Sequence, residues 1–157
     1  EFRRVLFRSA LPLDEAVDLV PLARRLAEEH AALQTDLPPR LVLPRAHPRV
    51  AERMLANLVD NAFKHGRPPV RLRLAEQGGM AVVEVRDGGP GIAEDRRDDL
   101  LHAFARGDAS RGTPGSGLGL AIVAQAAERM RGSLGFTQEA DAGFTVRLSL
   151  PLHMEPL

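Results

Sequence analysis

The sequence predicts an α+β domain, one sheet covered on one face by helices, and three observations carry that prediction. Helical and strand-like segments follow one another without strict alternation, which argues against a doubly wound parallel sheet. A long run from Arg49 to His65 keeps helical period, and the end of the chain alternates with period two through Phe144, Val146, Leu148 and Leu150. Length agrees: 157 residues, 44% of them hydrophobic, suit a single domain.

Taken in order, Glu1 to Ser9 mixes bulky apolar residues with arginine in no regular period, and residues 1–12 read as a leader or appended remnant. The domain is expected over residues 13–152, with 153–157 as a tail. From Leu19 to Leu33, apolar residues at Leu19, Leu22, Ala23, Leu26, Ala27 and Leu33 predict an amphipathic helix, its polar side filled by Arg24, Arg25, Glu28 and Glu29. Pro38 and Pro39 break it, and Arg40 to Pro44 reads as a short strand. His47-Pro48 opens the long helix, and Gly66 stops it.

Two strands follow, Val70 to Leu74 and Met80 to Val85, joined through Gln77-Gly78-Gly79 in a hairpin. A polar stretch bearing Arg96, Arg97, Arg106 and Arg111 then runs to Gly115 with a short helical pattern near Leu100 to Phe104; an irregular segment of this length reads as a functional lid. Gly117 to Met130 is predicted as a helix on the apolar positions Leu118, Leu120, Ile122, Val123, Ala126, Ala127 and Met130. Two strands close the chain around a turn at Asp141-Ala-Gly143.

Composition excludes several chemistries. Lys64 is the sole lysine among 21 basic residues, and it stands between Phe63 and His65, so neither a Walker A loop nor a protein-kinase Val-Ala-Ile-Lys strand exists. Cysteine is absent, which removes thiol nucleophiles, disulfides and cysteine–zinc sites. Twenty-one acidic residues balance the 21 basic ones, the opposite of a nucleic-acid footprint. No stretch approaches the roughly 18 apolar residues of a membrane span. The expectation is a soluble domain with no nucleic-acid partner and no membrane contact of its own, binding any anion locally.

Three segments carry candidate chemistry. On the Arg49–His65 helix, with Asn57 at zero, Asn61, Lys64 and His65 fall at roughly 40°, −20° and 80° for 3.6 residues per turn. Leu55, Leu58, Val59, Ala62 and Phe63 take the other side. Amide oxygens can join a divalent cation's oxygen shell without repelling a triphosphate, and lysine is a point-charge phosphate partner, so Asn61 is the metal-ligand candidate. By itself this stripe also describes the solvent face of an amphipathic helix. Asp87-Gly-Gly-Pro-Gly91 delivers a carboxylate at a strand end, able to accept a hydrogen bond from an exocyclic amine such as adenine's; alone, it reads first as a Gly/Pro turn. Gly115-Ser-Gly-Leu-Gly119 opens a helix and offers N–H groups to phosphate, yet it follows a polar loop and not a buried strand, so it is no dinucleotide fingerprint.

Together, Asn57-Leu-Val-Asp-Asn61-Ala-Phe-Lys64-His65, Asp87-x-Gly89-x-Gly91-Ile92, Leu101-His-Ala-Phe104-Ala-Arg106-Gly107-Asp108 and Gly115-x-Gly117-Leu-Gly119-Leu120 resemble, in order and spacing, the N box, first glycine box, F box and second glycine box of sensor histidine kinases. The resemblance spans about Leu13 to Pro151 and is nearest to osmosensor, EnvZ-like kinases through Phe104-Ala-Arg-Gly-Asp-Ala-Ser-Arg and Gly119-Leu-Ala-Ile-Val123. It implies a Bergerat-type two-layer α/β sandwich with a mixed sheet, holding ATP and Mg2+ between the N-box helix, the first glycine box and a lid. Carried over, Asn61 resembles the magnesium ligand, Asn57 and Lys64 its phosphate-side partners with His65 beside them, and Asp87 the adenine reader in a pocket shaped by Gly89, Gly91 and Ile92. Gly115, Ser116, Gly117, Leu118, Gly119 and Leu120 resemble the phosphate cradle, and Phe104 and Arg106 belong to the lid.

The chain departs from the family at His65, where tyrosine is common, and at Leu101, His102 and Ala103, where Phe, Glu and Pro are usual. None of its five histidines sits in a phosphoacceptor box. The resemblance therefore implies a protein-histidine kinase catalytic domain that is inactive without the dimerisation and histidine phosphotransfer domain of the same kinase, and whose downstream partner is a response regulator. It also implies a cytoplasmic domain of a parent anchored in the inner membrane. ATP-hydrolysing relatives (gyrase, mismatch-repair and chaperone domains) carry glutamate where this chain has Asn57, which cannot take a proton from water. An anti-sigma-type serine kinase would lack the F box. A nucleotide-binding regulatory module without catalysis is the remaining alternative.

Overall fold

The computed structural model describes residues 11–89, 118–139 and 143–153. The lid stretch and the residues 90–117 that contain it lie outside the described residues. The chain begins with β1 (Glu15–Asp18) and α1 (Leu19–Glu29). Asp18 caps α1: its carboxylate accepts the N–H of Val20 at 3.1 Å and also that of Leu41 at 3.1 Å, so one side chain satisfies a helix-end donor and fixes the incoming strand. α1 buries Leu19, Val20, Ala23 and Leu26.

The helix ends at Glu29, short of the expected Leu33. His30 takes an extended conformation, and Leu33, whose N–H donates to the His30 carbonyl at 2.9 Å, begins β2 (Leu33–Asp36). Leu33 is buried in either arrangement, so apolar spacing alone misassigned it. The short strand expected at Arg40 to Pro44 forms two residues later as β3 (Val42–Ala46), and it pairs antiparallel with β1 in a separate two-stranded sheet.

α2 (Pro48–His65) is the long helix. His47 caps it, Nδ1 accepting the Arg49 N–H at 3.1 Å, and Pro48 fills a first-turn position whose N–H would have no helical partner. Gly66 ends it by donating its N–H to the Ala62 carbonyl at 2.9 Å. β4 (Val70–Gln77) and β5 (Met80–Asp87) form the expected hairpin; Gly78 and Gly79 at φ 57° and 77° meet the requirement of a two-residue turn for positive φ at both positions. α3 (Leu118–Arg129), β6 (Ser133–Glu139) and β7 (Gly143–Pro151) complete the described elements.

The main sheet has the order β2-β4-β5-β7-β6 and is mixed: β2 runs parallel to β4, and all other pairs are antiparallel. Its inner face presents Val70, Leu72 and Leu74, Ala81, Val83 and Val85, and Phe144, Val146, Leu148 and Leu150 to the helices. Full burial of such a side chain contributes about 1.5–3 kcal/mol, so this two-layer core dominates stability. The outer face is polar. Arg73 bridges Asp36 and Glu84, with its Nη1 2.8 Å from Glu84, and Arg147 donates to Gln77 at 2.8 Å. By register that last bridge passes over Val82, which is 1% exposed although it points away from the helices. The expected α+β architecture is the one observed.

Candidate functional site

α2 rests on the sheet through Ala51, Met54, Leu55, Leu58, Val59 and Ala62, which leaves its other side for the polar stripe. Asn57 and Asn61 are half-buried there, and Lys64 and His65 are exposed in the last turn. Phe63 packs against the core on the apolar side, as the helical wheel expects. It is half-buried and stacks on His30, ring centroids 5.1 Å apart, while Asp60 approaches His30 Nε2 at 3.6 Å.

The first described turn of α3 lies on the stripe. A Cβ at Gly119 would stand 3.7 Å from the Asn57 Cβ, ordinary packing distance, so Gly119 is brought to the N-box asparagine. Asn57 Nδ2 is buried and has no hydrogen-bond partner among the described residues. A buried donor left unpaired costs about 1–3 kcal/mol, and it is a group that a bound acceptor, such as a phosphate oxygen, would satisfy.

Asp87 occupies the far end of the stripe. It is 5% exposed, at the last position of β5, directly against the residue that caps α2. One oxygen is held: Oδ1 accepts the Gly89 N–H at 2.6 Å and the Arg67 N–H at 3.4 Å. Oδ2 takes no hydrogen bond from the described residues. The Gly88 N–H donates to the Arg67 carbonyl at 2.7 Å, which ties the start of the first glycine box to the end of α2.

The structure thus gathers Asn57, Asn61, Lys64, His65, Asp87, Gly89 and Gly119 along one helix and its two neighbours. Leu120, expected in the phosphate cradle, turns its side chain into the core at 1% exposure. Leu118 begins α3. Gly91, Ile92, Phe104, Arg106, Gly115, Ser116 and Gly117 lie outside the described residues. Sequence reasoning missed Gly66 as a neighbour of Asp87 and the Arg67 N–H as a donor to it. A backbone amide has no residue-type signature, and the contact spans 20 positions.

Among the described residues no cluster of three or more His, Cys, Asp or Glu could hold a metal ion. Asn61 still fits a magnesium bound chiefly through phosphate oxygens and water, which needs one or two protein oxygens and not a cage. No helix among the described residues is long and apolar enough to cross a membrane.

Residues 46–154 match the family described as histidine kinase-, DNA gyrase B- and HSP90-like ATPases. The chain is similar to the signal transduction histidine-protein kinase AfsQ2 of Streptomyces coelicolor, 39% identical over 118 residues, covering 74% of this chain and 22% of that protein. It is similar to a probable sensor histidine kinase of Mycobacterium tuberculosis, 32% identical over 148 residues, covering 92% of this chain and 39% of the relative. Among solved structures, the histidine kinase domain of the E. coli osmosensor EnvZ superposes with a TM-score of 0.68 at 30% identity, covering 95% of this chain and 94% of that one. The chain spans between about a fifth and two fifths of the length of those two kinases, and a whole domain of the third. Sequence match, sheet topology and the gathered stripe agree: this chain belongs to the histidine kinase-, DNA gyrase B- and HSP90-like ATPase family, in its sensor histidine kinase branch.

Proposed function

We propose that this domain binds Mg·ATP along α2 and transfers the γ-phosphate to a histidine on a separate dimerisation domain, for relay to a response regulator. The observation that supports this most is the placement of two polar groups at the two ends of the α2 stripe: Asp87 Oδ2 and Asn57 Nδ2, neither of which has a hydrogen-bond partner among the described residues. Nine helical steps lead from Asn57 to Gly66, about 13.5 Å at 1.5 Å per residue, a span suited to an extended nucleoside triphosphate.

Asp87 accepts a hydrogen bond from the exocyclic amine and so selects adenine. Asn57 donates to a phosphate oxygen, Lys64 places its charge beside the phosphates, and Asn61 offers its amide oxygen to the magnesium. When bound, the cation would neutralise charge on the β- and γ-phosphates. Phosphoryl transfer depends mainly on such positioning and charge stabilisation. The acceptor imidazole is itself the nucleophile: a nitrogen–phosphorus bond forms, the bond from the γ-phosphorus to the bridging oxygen breaks, and ADP leaves. No general base is required from this chain. Hydrolysis would require one, and Asn57 cannot serve; the neighbouring acid Asp60 turns to His30.

The parent kinase's dimerisation domain, made separately and mixed with this domain, labelled ATP and magnesium, tests the proposal. Labelled histidine is expected. ATP binding with no transfer to that domain would overturn the kinase reading in favour of a regulatory nucleotide-binding module.

A further inference from the structure

Asp87 can read a base only while its free oxygen is aimed, and the surroundings of its carboxylate show what aims it. The Gly89 and Arg67 amides hold Oδ1. Next to the Arg67 amide lies Gly66: a Cβ there would overlap Cγ and both carboxylate oxygens of Asp87. Gly66 has φ −95°, an ordinary value, so its backbone conformation does not demand glycine. The demand comes from space, and what fills that space is a functional side chain.

This separates Gly66 from other tight glycines. A Cβ at Gly143 would run into the Asp87 carbonyl, and one at Gly132 into the Ser149 carbonyl, both main-chain atoms of the sheet. Substitution there disturbs strand pairing. At Gly66 the obstructed group is a side chain, which yields by rotating away from its two amide donors while the sheet stays in place.

We propose that Gly66 is a positioning residue for base selection: with no Cβ, it lets the end of α2 close against the Asp87 carboxylate and fixes the direction of the free Oδ2. The inference rests on Asp87 reading the exocyclic amine. Any side chain at position 66 turns the carboxylate off that line, and the domain loses its preference for adenine before it loses its fold.

The experiment compares ATP with inosine triphosphate, which has the same sugar and phosphates but a carbonyl in place of the amine. Binding of each is measured by calorimetry for wild type, Gly66→Ala, Asp87→Asn and the double variant. Gly66→Ala is expected to weaken ATP about tenfold or more, the size of a lost hydrogen bond to a charged group, and to leave inosine triphosphate unchanged. The double variant is expected to match Asp87→Asn, because Gly66 acts through that carboxylate. Asp87→Asn losing discrimination while Gly66→Ala keeps it would overturn the role of Gly66 and spare the adenine reading. Discrimination kept in Asp87→Asn would overturn the adenine reading itself, and this proposal with it. Should Gly66→Ala fail to fold, amide exchange in the wild type decides: ATP, and not inosine triphosphate, slows exchange at Arg67 and Gly89, and equal protection by both would overturn the proposal.

Discussion

The two ends of the α2 stripe are built on opposite plans. At Asp87 one carboxylate oxygen is held by two backbone amides and the helix end closes against it, so the group proposed to read the base is oriented by the fold alone. At Asn57 the amide nitrogen is buried beside the first described turn of α3 without a described partner, so under the proposed function this end is completed by the ligand. The first arrangement favours selectivity, since a preorganised acceptor loses nothing on binding. The second stores a cost in the free protein that a phosphate oxygen relieves.

Substitutions can break that contrast. The largest expected effect belongs to Asp87→Asn: the amide oxygen still accepts the Gly89 and Arg67 N–H groups, but a donor now faces the adenine amine, and ATP affinity should fall about 100-fold, or about 2.7 kcal/mol, with melting temperature little changed. Unchanged affinity by calorimetry would refute the base-reading role. Asn61→Ala comes next, with an expected loss of about tenfold that appears only with magnesium. Wild-type binding that is equal with and without chelator would undo the metal assignment. Lys64→Arg replaces a compact point charge by a broad planar fork, and the transfer rate is expected to drop about fivefold with the fold intact; full activity would make Lys64 an ordinary surface residue. Asn57→Ala sharpens the contrast most finely. Removing an unpaired buried donor should leave stability within about 1 kcal/mol of wild type in thermal unfolding, even as ATP affinity falls severalfold. A large destabilisation without loss of affinity would mean that Asn57 serves the fold.

The same division explains what the sequence revealed. α2, the β4–β5 hairpin and the alternating β7 were legible because each repeats a local period or carries paired glycines at a turn. β2 was not: Leu33 is its one buried residue, three exposed ones follow, and its parallel partner β4 lies far along the chain. β1 likewise has four residues and pairs with a strand beyond a helix. In the candidate site, residue type and spacing singled out Asn57, Asn61, Lys64 and Asp87, which the structure places along one helix and the strand end beside it. Gly66 read only as a helix stop, because its steric role exists only once β5 lies against the end of α2.

Because α2 ends against Asp87, the proposed binding mode makes the helix a ruler between the two halves of a nucleotide. Substitutions change single graduations, whereas one residue inserted between Asn61 and Gly66 would shift the scale by about 1.5 Å and turn it by about 100°. Length in this span is therefore under tighter constraint than identity. An added residue at Gly78-Gly79, where the hairpin turns at the open end of the sheet, leaves the measurement untouched.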